Sequence, residues 1–234
     1  MADAKADGAE MRERLAAATF LGAMEPAALE RLIARGHRQS FPRGRMLVSR
    51  GEPGDSLILI VSGEVKVSTV TSDGREVALN FLGPDDVLGE IAVLDGGERT
   101  ADATALSDVE AFVLLRRDLL PALLGEPEAL MEVVGLLCGK LRAASEQVED
   151  NSLDMARRMA RGLLRLMRQH GRRGKAGTRI AVAPTQRDLG LYTGLSRENV
   201  SRQLGALRQA GIVQLDGFEI TILDEARLEH AAEA

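Results

Sequence analysis

The chain has no tryptophan, one tyrosine, five phenylalanines and a single cysteine, Cys138, among its 234 residues. One thiol cannot form an intramolecular disulfide. With His37, His170 and His230 as the only histidines, it cannot build a zinc or iron–sulfur cage either, so metal sensing by soft ligands is not expected. No window approaches the ~18 consecutive apolar residues of a membrane span, so no membrane partner is expected. The start, Met1-Ala2-Asp3-Ala4-Lys5-Ala6-Asp7, lacks the cationic region and apolar run of a secretory signal, and the expected location is cytoplasmic. Nor is there a Ser-His-Asp arrangement, an HExxH motif or a P-loop, so no catalytic site is expected.

What is present is an ordinary globular composition, 45% hydrophobic and 28% charged, on a chain long enough for two small domains that need neither disulfides nor metal. The formal net charge of -5 hides a division: residues 1–154 carry -11 and residues 155–234 carry +6. An acidic segment is followed by a basic one. Charge-driven affinity for phosphates depends on the local surface, so the cationic segment can neutralise nucleic acid where the chain as a whole would not.

Residues 1–18 are Ala-rich and charged and carry no motif, which reads as a frayed, flexible arm or a weak helix. Pro26 at a first helical position, with Leu29, Leu32 and Ile33 at helical spacing, predicts a short amphipathic helix ending by Gly36. Between Phe41 and Leu115 come short β-type runs: Met46 to Val48, Leu57 to Val61, Val65 to Val70, Val77 to Phe81 and Val109 to Leu115. Turns such as Arg50-Gly51-Glu52-Pro53-Gly54-Asp55 and Gly83-Pro84-Asp85-Asp86 separate them. This rhythm favours a closed double-sheet structure such as a jelly roll, with a cavity.

Beyond Pro127, Leu130, Val134, Leu137, Leu141, Ala144 and Val148 recur at steps of four and three, a heptad seam. A helix buried in its own domain usually carries a wider stripe. The narrow seam therefore favours parallel pairing with the same helix of a second chain, a homodimer, with packing against the β-domain alone as the alternative. Asn151-Ser152-Leu153-Asp154 supplies polar, capping residues ahead of a helix from Met155 to about Gln169 and marks a domain boundary. The stretch His170 to Thr178, with Gly171, Gly174 and Gly177 among Arg172, Arg173 and Lys175, reads as a flexible exposed loop.

Thr185 is placed to cap a helix, with Asp188 in the acidic position of a capping box and Leu189 and Tyr192 facing inward. Gly194 breaks that helix, and Ser196 caps a second one, Arg197-Glu198-Asn199-Val200-Ser201-Arg202-Gln203-Leu204. Two short helices across a glycine turn make a helix-turn-helix. Val200, Leu204 and Leu207 form the expected buried stripe, leaving Arg197, Glu198, Ser201 and Arg202 opposite. Arginine can bond bidentately to O6 and N7 of guanine and glutamate can accept from N4 of cytosine, so this face suits bases in a groove of duplex DNA. Thr185 and Gln186 would touch phosphate. Residues Ile212 to Ile222 follow as a β-hairpin, a wing.

The whole arrangement resembles the cyclic AMP receptor protein and fumarate-nitrate regulator family of bacterial transcription factors, from about Phe20 to Leu223. The most specific pieces are Gly51-Glu52-Pro53-Gly54-Asp55 with Ser62-Gly63-Glu64, the segment Gly89-Glu90-Ile91-Ala92-Val93-Leu94-Asp95-Gly96-Gly97-Glu98-Arg99-Thr100-Ala101, and Ser196-Arg197-Glu198-Asn199-Val200-Ser201-Arg202. The resemblance implies an α+β chain in five parts. Residues 1–18 are the arm, 19–126 a cyclic-nucleotide-binding β-roll, 127–150 a dimerisation helix, 151–154 a hinge and 155–234 a winged helix-turn-helix domain.

The middle segment looks like the family's phosphate-binding cassette. The resemblance implies backbone donors at Gly89, Ile91 and Ala92, Arg99 and Thr100 on the cyclic phosphate and Glu90 on the ribose hydroxyl. On the long helix the family's adenine-reading Thr-Ser pair is matched by Ala144 and Ser145, so one hydroxyl is missing; Asn80 is a further polar candidate. Cyclic AMP leads as effector and cyclic GMP stays open, because a threonine directly after the cassette arginine resembles a device used for guanine. A haem-sensing or ligand-independent regulator of the same fold is the alternative. Duplex DNA and a second copy of the chain are the implied partners, with RNA polymerase a third at the loop Gly171 to Gly177.

Overall fold

The computed structural model describes residues 2–18, 20–150 and 152–233. Asn151, the first of the four hinge residues read from the sequence, lies outside the described residues. Helix α1 (Ala2–Ala18), a 3-10 turn (Phe20–Ala23) and α2 (Pro26–Ile33) lead into strands β1 (His37–Phe41), β2 (Met46–Val48), β3 (Ser56–Ser62), β4 (Val65–Val70), β5 (Glu76–Leu82) and β6 (Val87–Leu88). Then come α3 (Glu90–Asp95), β7 (Asp102–Ala105), β8 (Val109–Leu115), α4 (Arg116–Leu124) and the long α5 (Pro127–Asp150). The remainder is α6 (Met155–His170), β9 (Gly171–Arg173), β10 (Thr178–Ile180), α7 (Gln186–Thr193), α8 (Arg197–Gln209), β11 (Val213–Asp216), β12 (Glu219–Ile222) and α9 (Glu225–Glu233).

Internal contacts divide the chain into two compact units, Met1–Val67 with Leu82–Arg142, and Ser68–Phe81 with Ala143–Ala234. The division falls inside α5, between Arg142 and Ala143. In the first unit, β1-β8-β3-β6 form an antiparallel sheet, and β2 pairs with β7 in a second one. Strand β3 explains the apolar run Leu57-Ile58-Leu59-Ile60-Val61, because successive side chains point to opposite faces and here both faces are covered. Ile58 and Ile60 join Phe41, Val65, Val109 and Val113 in one core. Leu57, Leu59 and Val61 join Leu32, Phe112, Leu119 and Leu123 in the other.

Of the two forms read for the N-terminal segment, the structure has the helix and not the flexible arm: α1 carries Met11 and Leu15, fully buried in the second of these cores. Arg14 fastens it, donating to the Val61 carbonyl (3.0 Å) and to Asp85 (2.7 Å). Two apolar side chains four residues apart among alanines and charges make too weak a stripe to stand out by periodicity, yet suffice once a complementary surface exists. Strands β1, β6 and β7 were also not anticipated, being respectively mostly exposed and polar, two residues long, and built of small residues.

Helix α5 packs in part on its own unit. Its first turns pack on the unit's own core through Ala129 and Val133, with Leu130 and Leu136 partly buried, while Val134, Leu137, Leu141 and Val148 are exposed.

In the second unit, Asp154 caps α6, its carboxylate accepting from the backbone of Ala156 and Arg157. The buried face of α6 includes Met159, Leu163, Leu166 and Met167, and α9 contributes buried Leu228 and Ala232. The segment read as a flexible loop is instead a hairpin, β9–β10, which extends the wing into a four-stranded sheet of order β11-β12-β10-β9. Its glycines and arginines mask a strand because the edge residues Gly171 to Arg173 are all exposed and show no alternation. The buried Leu15 supplies a test of α1: Leu15→Ala should lower the unfolding free energy by about 2–5 kcal/mol. An unchanged urea midpoint would mean that α1 is not part of the packed unit.

Candidate effector cassette and DNA-reading helix

In the first unit, β6 ends at Gly89, whose φ of 90° is the left-handed geometry that favours glycine, and α3 starts there. A Cβ at Gly89 would collide with the Arg99 guanidinium, so the glycine lets the two meet. Gly54 does the same service on the other side: a Cβ there would overlap the Cβ of Ala92 on α3. The backbone then locks the return of the cassette, with Gly51 N donating to Arg99 O (2.9 Å), Arg99 N to Glu52 O (2.8 Å) and Gly54 N to Gly97 O (3.1 Å). This is the physical content of Gly51-Glu52-Pro53-Gly54-Asp55. It is a brace against which the cassette folds.

Two charged side chains are buried here, Glu90 at 4% and Arg99 at 5% exposure. Arg99 donates from Nη2 to Ser56 Oγ (2.7 Å) and from Nη1 to the Gly89 carbonyl (3.4 Å). Among the described residues no carboxylate lies within ion-pairing distance of it. Burial pulls its pKa below the ordinary arginine value, opposed by the more distant charges of Asp55, Glu90 and Glu52. It stays cationic all the same. A buried cation without a counterion is costly, and an anion brought to it recovers that cost.

Glu90 is differently placed. It pairs with Lys140 of α5 at 2.7 Å. The sequence reading missed Lys140, because a lysine between seam positions on a long helix looks like ordinary solvation; only its meeting with a buried carboxylate distinguishes it. Ile91 is half-buried, Ala92 buried and Thr100 exposed. The structure thus brings Gly89, Glu90, Ile91, Ala92 and Arg99 together. Asn80, Ala144 and Ser145 belong to the second unit. There Asn80 is half-buried and accepts from its neighbour Phe81 N (2.9 Å), and both helix residues are exposed.

The DNA-reading element is assembled by its caps. Thr185 Oγ1 accepts from Asp188 N and donates to Asp188 Oδ2 (2.6 Å), closing the first turn of α7. Gly194, at φ 67°, ends α7, and Leu195 N returns to Gly190 O. A Cβ at Gly190 would press on the Leu195 carbonyl. Ser196 then caps α8, accepting from Asn199 N (3.2 Å). Val200 and Leu204 are buried; Leu207, expected with them, is only half-buried. Ser196, Arg197, Glu198, Ser201 and Arg202 are all exposed, while Thr185 and Gln186 are half-buried.

Asn199, also not anticipated, accepts from Arg202 at 2.7 Å. Beneath the pair of helices, Tyr192 packs edge-on to Phe81 at 5.5 Å between ring centroids and accepts from Arg165 (3.3 Å), which also pairs with buried Asp150. Burial pushes the Tyr192 phenol above its ordinary pKa, partly offset by Arg165.

A β-roll with a buried anion-seeking arginine, joined to a winged helix-turn-helix, defines a cyclic-nucleotide-responsive, DNA-binding regulator of transcription. Residues 38–125 match the cyclic nucleotide-binding domain, and residues 157–231 match the Crp-like helix-turn-helix domain. The chain is 33% identical to the CRP-like cAMP-activated global transcriptional regulator of Mycobacterium tuberculosis, across 95% of this chain and 100% of that one. It is 32% identical to the cyclic AMP receptor protein of Thermus thermophilus, across 89% and 94%. Among solved structures, FixK2 from Bradyrhizobium japonicum superposes with a TM-score of 0.75 at 25% identity, across 85% of this chain and 98% of that one. The chain belongs to the cyclic AMP receptor protein and fumarate-nitrate regulator family.

The cap geometry carries its own test. Ser196→Ala should cost about 1 kcal/mol of helix stability and weaken DNA binding, read by thermal unfolding and by a gel shift on one set of samples; loss of neither would remove Ser196 from the reading element.

Proposed function

We propose that this protein is a cyclic AMP-activated regulator that binds a palindromic DNA operator as a homodimer and catalyses no reaction. The observation that carries the reading is the buried Arg99 cation with no carboxylate in ion-pairing range among the described residues, a site that gains from an anion such as a cyclic phosphate. The relatives named for cyclic AMP support the choice of nucleotide.

In this reading Arg99 and the exposed Thr100 hold the cyclic phosphate, with the backbone of Gly89, Ile91 and Ala92. Glu90, paired with Lys140, takes the ribose hydroxyl. Asn80, Ala144 and Ser145 face the base, with Ser145 the hydroxyl that discriminates. Cyclic GMP is the second reading, favoured by Thr100 directly after Arg99. The exposed stripe Val134, Leu137, Leu141 and Val148 pairs with its own copy. Ligand binding selects one register of that seam, and the hinge at 151–154 sets two copies of α8 about 34 Å apart, one helical turn of DNA.

In each half-site Arg197, Glu198 and Arg202 read base edges, Ser201 assists, and Thr185, Gln186 and Ser196 hold phosphate. The β9–β10 hairpin, with exposed Arg172, Arg173 and Lys175, is the surface offered to RNA polymerase. A soluble chain working in the cytoplasm follows from this role.

Calorimetric titration with cyclic AMP and cyclic GMP beside a gel shift tests the effector. Arg99→Ala should abolish nucleotide-dependent DNA binding and leave the dimer intact, and undiminished dependence would overturn the assignment. Arg197→Ala and Arg202→Ala should each relax base preference, costing about 1–3 kcal/mol at the touched pair. Equal losses on operator and random DNA would make them phosphate contacts instead.

A further inference from the structure

Arg99 is surrounded by acidic residues, yet it is held by a neutral one. The carboxylates of Asp55, Glu90 and Glu52 all act on its charge. Any of them, given the freedom, would capture the guanidinium in a two-pronged bond stronger than a neutral contact. What occupies Nη2 is instead the hydroxyl of Ser56, at 2.7 Å and with both residues buried.

Ser56 is the first residue of β3, a strand paired on one side with β8 and on the other with β6, and in register with Leu115. Its carbonyl also lies close against Gly89, 2.7 Å from where a Cβ would stand. The hydroxyl therefore hangs from a strand that is paired on both sides. Nη1 reaches the Gly89 carbonyl only at 3.4 Å, a weak contact. Of the two, Ser56 fixes the fork.

We propose that Ser56 is a positioning residue for effector binding: a neutral acceptor that holds the Arg99 guanidinium in place without cancelling the charge meant for the cyclic phosphate. This rests on the effector reading given above and concerns how the same site is kept ready. A carboxylate at this position would hold the cation as firmly but would compete with the phosphate for it. An apolar residue would release the cation to its acidic neighbours. A hydroxyl does neither.

The test uses the full-length protein and calorimetry with cyclic AMP. Ser56→Ala should weaken binding about tenfold, Ser56→Thr should keep it within about threefold, and Ser56→Asp should weaken it at least a hundredfold, each with a thermal midpoint close to that of the parent. These fold-changes convert at 1.4 kcal/mol per factor of ten. The decisive measurement is a double-mutant cycle with Arg99→Lys, which keeps a cation and a measurable affinity, because Ser56→Ala should cost clearly less there than beside the arginine if the serine acts through the guanidinium.

A second readout is the ratio of affinities for the two cyclic phosphorothioate diastereomers of the nucleotide, which Ser56→Ala should shift and a merely structural loss should not. Additive losses in the cycle, an unmoved diastereomer ratio, or full affinity in Ser56→Ala would each overturn the proposal while leaving the effector reading in place. A parent protein that binds neither cyclic AMP nor cyclic GMP would overturn both. Should Ser56→Ala fail to fold, Ser56→Asp and Ser56→Thr still separate the two roles by their opposite effects on binding.

Discussion

One strand, β3, organises the first unit. Its alternate side chains feed two separate cores, Ile58 and Ile60 into the space between the sheets and Leu57, Leu59 and Val61 into the layer beneath α1, α2 and α4. Its first residue meets the cassette arginine. The side-chain anchor of Arg99 depends on this strand, whose residues from Ser56 to Val61 are buried on both faces. The brace from Gly51 to Asp55 immediately precedes it, so cassette and core are set by one continuous stretch of backbone.

Much of this was legible in the sequence, and the reasons differ by element. The run Leu57 to Val61 announced a buried strand, and the turn residues around it announced the roll. The caps Thr185 and Ser196 and the break at Gly194 placed the helix-turn-helix because each residue type has a local backbone job that neighbours cannot override. Where the signal was tertiary, it was silent. Met11 and Leu15 look like incidental apolar residues until a surface exists to receive them. Residues Gly171 to Ile180 look like loop because an exposed edge hairpin needs no alternation. Lys140 and Ser56 carry no motif, and only the side chains they meet, Glu90 and Arg99, distinguish them.

The two charged centres of the cassette are handled in opposite ways. Glu90 has a cationic partner within the chain, whereas Arg99 has only neutral acceptors. The difference matters because a paired ion resists further partners and an unpaired buried one seeks them. The fold thereby makes the arginine the stronger attractor for a ligand, and leaves the carboxylate as a group whose hydrogen bonding can be shared.

On α8, the bond from Arg202 to Asn199 places one of the exposed side chains of the polar face in a definite rotamer. A free arginine would surrender close to 2 kcal/mol of side-chain entropy when immobilised. Arg202 has given up part of that freedom within its own helix, so less remains to be lost at a base edge. The same bond must open or bend for both guanidinium prongs to face a guanine. In the proposed base-reading role, recognition at that position exchanges one amide oxygen for two ring and carbonyl acceptors, and a sequence that offers only a single acceptor in the groove gives the arginine little reason to leave Asn199.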